Sequence, residues 1–181
     1  MTTLRLRDST VAIVGLGLMG TSLGLALRDA CTTRIGCDLD PAVAARSHEL
    51  GAVDRIAPLD ELAAAADLVV LATPVTATID LIPRIAAQLR TGAVLTDLGS
   101  TKVAICDALD SAAPATASIG GHPMCGRERP GPDSATADLF TGATWVLCPT
   151  AGTDAPVDAL VRQLVVATGA TPIELDRAAH D

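Results

Sequence analysis

The chain has 181 residues, a size that suits one α/β domain, or one domain plus the start of another. Hydrophobic residues make up 49%, with one Phe, one Trp and no Tyr, so the core has to be aliphatic. Thirteen basic side chains against 21 acidic ones leave a net charge of −8, which argues against nucleic acid as a partner, because phosphate contacts need a basic face. Short β-branched runs then alternate with longer Ala/Leu-rich stretches, the pattern of repeated βα units. Residues 11–15 read as a strand and 19–28 as a helix. Residues 34–38 read as a second strand, followed by a helix opening with Pro41 at its first turn. Residues 67–72 (DLVVLA) are apolar enough for a central parallel strand buried on both faces. Pro74 starts a helix running to about residue 89, residues 93–97 form another strand and 100–109 another helix. Further strands are expected at 118–121, 144–147 and 171–175, with a helix over 155–167. Residues 120–132 read as a Gly/Pro-rich loop too long for mere punctuation, hence a functional candidate. The fold class that follows is a Rossmann-type doubly wound, mostly parallel sheet with helices on both faces.

No apolar run approaches the roughly 18–20 residues of a membrane span. The polar segment 1–9, with Arg5 and Arg7, lacks the apolar region of a secretory signal. A soluble cytoplasmic protein is expected, with no membrane partner. The five cysteines form no CxxC pair and no metal-ligand spacing, so they read as reduced, mostly buried thiols, and no metal site is expected.

Gly15-Leu16-Gly17-Leu18-Met19-Gly20 is a GxGxxG placed directly after a strand and opening a helix. Gly15 permits the tight turn, Gly17 lets backbone approach a pyrophosphate, and Gly20 allows close helix–strand packing. The helix N-terminus offers free N–H groups and the positive end of its dipole to the phosphates. Asp38 closes the second strand 18 residues after Gly20, near the roughly 20 expected of the acidic residue that takes the ribose 2′-hydroxyl. A carboxylate there repels a 2′-phosphate, so NAD is the expected cofactor. Asp40 lies past the strand and reads as the N-cap before Pro41. In this fold, ligands sit outside the carboxyl ends of the strands, which puts Thr73, Pro74 and residues 97–100, Gly99 among them, beside the nicotinamide half.

Three further segments go beyond generic dinucleotide binding: Asp97-Leu98-Gly99-Ser100-Thr101-Lys102, Gly120-Gly121-His122-Pro123-Met124-Cys125-Gly126, and Asp138-Leu139-Phe140 leading to residues 144–147. With GLGLMG and LATP, their order and spacing resemble the prephenate/arogenate dehydrogenase family from about residue 10 to the last residue. The resemblance implies that His122 is the catalytic hydrogen-bond acceptor and that Ser100 orients it against the nicotinamide. It implies hydride transfer to NAD from the carbinol carbon of a cyclohexadienol as CO₂ departs, with prephenate or arogenate as the substrate. A neutral imidazole suits acceptance of the hydroxyl proton. Ser100 reads equally as a helix N-cap. Lys102, the only lysine, falls in the first turn of the expected helix, either as a solvated side chain or as a specific substrate contact. Arg127 and Arg129 are candidates for the substrate carboxylates, or for loop solubility alone. Asp133 is a candidate for facing the arogenate ammonium. Cys125 stands where the family usually has alanine.

The resemblance divides the chain into an NAD-binding domain over 1–175 and, over 176–181, the beginning of a helical dimerisation and substrate domain. His180-Asp181 is similar to the His-Asp that opens that second domain, and the remainder of it is not in the chain. Slow turnover by the chain alone, and homodimers only with that helical domain, are therefore expected. Two other classes stay open: a β-hydroxyacid-type dehydrogenase, which would lack the GGHPM segment, and an NAD-binding regulatory module without chemistry.

Overall fold

The computed structural model describes residues 4–112 and 116–181; residues 1–3 of the polar terminus lie outside the described residues. The strands are β1 (Thr10–Val14), β2 (Thr33–Cys37), β3 (Arg55–Ile56), β4 (Leu68–Leu71), β5 (Val94–Asp97), β6 (Ala117–Pro123), β7 (Thr144–Pro149) and β8 (Thr171–Glu174). The helices are α1 (Leu18–Ala26), α2 (Pro41–Glu49), α3 (Leu59–Ala65), α4 (Val75–Ala86), α5 (Val103–Ala112), α6 (Ala155–Ala167) and the single turn α7 (Arg177–His180). One sheet runs in the order β3-β2-β1-β4-β5-β6-β7-β8, parallel throughout except for the antiparallel pair β6–β7. The order reverses at β1, which pairs with both β2 and β4, and this topological switch point is where doubly wound sheets open a crevice for ligands.

Strand alternation divides the core into two layers. Val11 and Ile13 join Leu68, Val70, Val94 and Ile119 on the face covered by α1, α2 and α6. Ala12 and Val14 join Val69, Leu71 and Leu95 on the face covered by α3, α4 and α5. Central strands buried on both faces need continuous apolar runs, as in Leu68–Leu71, where all four residues are buried. Asp40 caps α2, its carboxylate accepting the Ala42 N–H at 2.8 Å with Pro41 in the first turn, as its position predicts. No helix among the described residues is long and apolar enough to cross a membrane.

The structure corrects the sequence reading in three places. Residues 51–66, where the sequence pattern marks no element, hold the exposed two-residue strand β3 and the Ala-rich helix α3, both too short for a clear period. β6 does not stop at residue 121 but continues through His122 and Pro123, because β7 pairs with it there (His122↔Val146, Pro123↔Trp145). His122 therefore stands on a strand, not in a loop. Finally, α5 begins at Val103, so Ser100 precedes the helix by three residues and is not its N-cap.

Candidate functional site

The carboxyl ends of β1, β4, β5 and β6 share one edge of the sheet. At the first of them Gly15 adopts φ +92°, and a Cβ there would lie 2.8 Å from the Ala72 carbonyl oxygen, so only glycine makes this turn. Where Gly17 would carry a Cβ, no atom lies within 4 Å: the backbone faces open space that a side chain would fill. Gly17 is also the N-cap of α1 and supplies no side-chain cap, so the first-turn N–H groups remain available to an anion. A Cβ at Gly20 would press into the Gly15 carbonyl. Asp38 is already oriented: one carboxylate oxygen accepts the Leu16 N–H at 2.6 Å and the other the Asp40 N–H at 2.9 Å. A cleft of about 480 Å³ opens over this turn, lined by residues that include Leu18, Met19, Thr73, Pro74 and Arg127. The open backbone, uncapped amides and waiting carboxylate fit a dinucleotide with a free ribose hydroxyl.

At the next strands the chemistry is buried. Asp97 ends β5 with no exposure; one carboxylate oxygen accepts the Gly121 N–H at 3.0 Å, the other accepts from the Gly99 N–H at 2.7 Å and from Lys102 Nζ. Lys102 is also fully buried and donates to the Gly121 carbonyl at 2.7 Å. The ion pair thus grips both polar groups of the residue before His122. Such a pair tolerates burial because hydrogen bonds occupy both charged groups. A Cβ at Gly121 would lie 2.5 Å from the Asp97 carbonyl oxygen and 3.1 Å from Trp145 Nε1, so the close approach requires glycine. Burial pushes the neighbouring Cys106 thiol up to about 12, which keeps it unreactive beneath Gly120.

His122 emerges from this clamp half-buried. Burial pushes its imidazole below the ordinary value of 6.5, and the His180 ring and the Lys102 ammonium act in the same direction. Its Nδ1 lies 2.8 Å from His180 Nε2, and His180 Nδ1 lies 2.7 Å from Asp181 Oδ1. Asp181 also accepts the N–H groups of Lys102 (2.6 Å) and Val103 (3.0 Å), capping α5 from the far end of the chain. Burial works against ionisation of that carboxyl, yet these two amides and His180 hold it down to about 2. Arg177 fastens the same turn to α5 through Asp107 (2.9 Å) and Asp110 (2.7 Å).

Residues 23–174 match the model of the prephenate dehydrogenase nucleotide-binding domain. The chain belongs to the prephenate dehydrogenase family. It is 36% identical to a probable prephenate dehydrogenase of Streptomyces niveus, over 95% of this chain and 46% of that protein. It is 31% identical to the prephenate dehydrogenase of Bacillus subtilis, over 95% of this chain and 48% of that protein. Its fold matches prephenate dehydrogenase from A. aeolicus, crystallised with hydroxyphenyl propionate and NAD+, with a TM-score of 0.87 at 26% identity, over 94% of this chain and 61% of that one. The Synechocystis arogenate dehydrogenase gives the same TM-score at 30% identity, over the same shares. The chain spans about half the length of the curated relatives it matches.

In this prephenate dehydrogenase family member the glycine turn, Asp38, Thr73, Pro74 and Gly99 all fall at the carboxyl edge of the sheet. Leu16 does not offer itself to a ligand: its side chain is buried and its N–H is spent on Asp38. The Thr73 hydroxyl is paired with Thr78 at 2.8 Å. Ser100 is exposed, and no hydrogen bond joins it to His122 among the described residues; the contact at His122 Nδ1 belongs to His180. Lys102, taken above as a substrate contact or a solvated side chain, is neither, because its ammonium is committed to Asp97 and Gly121. Asp133 is likewise engaged elsewhere, accepting from Arg46 Nε on α2 at 2.7 Å. Arg127 reaches the cleft wall and donates to Thr136 Oγ1 at 2.9 Å, while Arg129 is exposed beside Asp133. Sequence reasoning placed residues 97–100 beside the nicotinamide but missed the pairing of Asp97 with Lys102 and Gly121, and it missed the His180-Asp181 pair as part of the site. The family resemblance marked His180-Asp181 as a domain opening, but nothing local to it pointed 58 residues back to His122.

Proposed function

We propose that this family member binds NAD and carries out the oxidative decarboxylation of prephenate to 4-hydroxyphenylpyruvate, or of arogenate to tyrosine, in tyrosine biosynthesis. The observation that carries the reading is His122, a half-buried imidazole at the carboxyl edge that also holds the glycine turn and Asp38, where burial favours its neutral form. The α1 amides bind the pyrophosphate, Asp38 takes the ribose hydroxyls and disfavours a 2′-phosphate, and Thr73, Pro74 and Gly99 border the nicotinamide. Bound there, NAD supplies the acceptor for the hydride of the carbinol carbon. His122 accepts the hydroxyl proton at that carbon, Ser100 lies exposed next to the reacting groups, and Arg127 and Arg129 supply guanidinium groups for the substrate carboxylates. The protein's share is orientation, since aromatisation drives the reaction. Residues 1–175 form the nucleotide-binding domain and 176–181 lead into a helical region through which a soluble, cytoplasmic enzyme forms homodimers.

The test is NADH formation with prephenate and arogenate offered separately, with NADP as the cofactor control and His122→Asn as the blank. Turnover with NAD that vanishes in His122→Asn is the expected result. A rate no different from that of His122→Asn with either substrate overturns the catalytic reading.

A further inference from the structure

The terminal turn holds two groups that the proposed reaction does not yet use. His180 Nε2 lies 2.8 Å from His122 Nδ1, and its side chain is only 7% exposed. Asp181 Oδ1 lies 2.7 Å from His180 Nδ1. The turn is rigidly attached, because Asp181 caps α5 with both carboxylate oxygens and Arg177 is bound to Asp107 and Asp110. We propose that Asp181 and His180 are positioning residues that fix the tautomer of His122, leaving its Nε2 unprotonated and turned to the reacting hydroxyl.

An ionised carboxylate only accepts, so His180 Nδ1 carries the proton of the His180–Asp181 bond. With His180 neutral, its Nε2 is bare and accepts. His122 Nδ1 must donate to it, and neutral His122 is left with its lone pair on Nε2. A cationic His180 would force the reverse: His122 Nδ1 would accept, and Nε2–H could not take a proton from substrate. A base oriented by a third group recurs wherever an imidazole must face one way. The proton balance also closes. When Nε2 takes the hydroxyl proton, the Nδ1 proton can pass to His180 Nε2, and the resulting imidazolium faces the Asp181 carboxylate; no electrons move in this transfer.

This role rests on the proposed reaction, but its first test does not. Nitrogen-15 NMR of the imidazole rings in the chain at neutral pH reports which nitrogen of His122 bears the proton. Nδ1–H on both His122 and His180 is expected. His180→Leu should shift His122 toward Nε2–H, while His180→Gln, whose amide oxygen can still accept from Nδ1, should keep Nδ1–H. With NAD and substrate, His180→Leu should lose about tenfold or more in kcat with NAD affinity unchanged, and His180→Gln should recover much of it. Nε2–H on His122 in the native chain, or no tautomer change in His180→Leu, overturns the proposal. The expected tautomers with no turnover of either substrate would support the proposal and count against the reaction; turnover with the wrong tautomer would do the opposite.

Discussion

Replacing Lys102 by Met removes, among the described residues, the only cation that faces the fully buried Asp97 carboxylate and the only side-chain donor to the Gly121 carbonyl. Methionine matches the lysine stem in volume, so the loss is electrostatic and not a cavity. Breaking a buried ion pair by deleting one partner costs about 3–5 kcal/mol, because the remaining charge is stranded. For a domain of this size that lowers Tm by about 6–20 °C, and it removes a large part of a total stability of about 5–15 kcal/mol. The double variant Asp97→Asn/Lys102→Met has no stranded charge. Its amide oxygen can still accept one of the two N–H groups from Gly99 and Gly121, leaving the other unpaired at a cost of about 1–3 kcal/mol. The double variant should therefore be more stable than Lys102→Met alone. Urea unfolding of the native chain, the single variant and the double variant reads all three values. A loss below about 1 kcal/mol in Lys102→Met, or a double variant less stable than the single, would refute the assignment of Lys102 as a structural clamp.

Gly121→Ala puts a Cβ 2.5 Å from a backbone oxygen that cannot retreat along the strand, so it should cost about 1–3 kcal/mol. Turnover should fall with it as His122 shifts, which unfolding curves and rate assays check together. Asp38→Asn removes the charge that repels a 2′-phosphate, a repulsion of about 1–4 kcal/mol at such range; the preference for NAD over NADP, measured as a ratio of dissociation constants, should drop at least about fivefold. The pH dependence follows from His122. Burial sets its folded pKa below 6.5, and the imidazole must be neutral to accept a proton, so the acid limb of kcat/KM should lie below 6.5. Unfolded, the same ring takes up a proton near 6.5. Its contribution to stability is therefore present above that value, falls as pH drops through it and levels off below the folded pKa. Denaturation midpoints taken from about pH 7.5 to about pH 5, native chain against His122→Asn, isolate that slope.

The parts legible in the sequence are those carried by local pattern. Gly15, Gly17 and Gly20 announce the turn, Asp38 the strand end that answers it, and Leu68–Leu71 a strand buried on both sides. The unread parts depend on long-range partners. Whether His122 ends a loop or a strand is decided by Val146 on β7, and nothing around His122 contains that information. Lys102 sits two residues after an exposed serine, so its direction is invisible until Asp97 and Gly121 surround it. The His122–His180 contact closes only when the whole sheet is assembled, so spacing along the chain offered no hint of it.

The reversal between β6 and β7 has a consequence of its own. Parallel neighbours are joined by a crossover that carries the chain back across the sheet, and that crossover is part of the core. Because β7 runs backwards, the chain leaves Pro123 and re-enters at Thr144 on the same edge, so residues 124–143 have no crossover to complete. The connection holds Arg127, Arg129 and Asp133, and it overlies the cleft without supplying a strand to the sheet. Charge changes at the exposed residues 126–130 are thus only loosely tied to folding, whereas the buried Pro132 and Phe140 anchor the rest of the connection to the core, and the molecule can alter what it admits to the site while the machinery beneath stays constant.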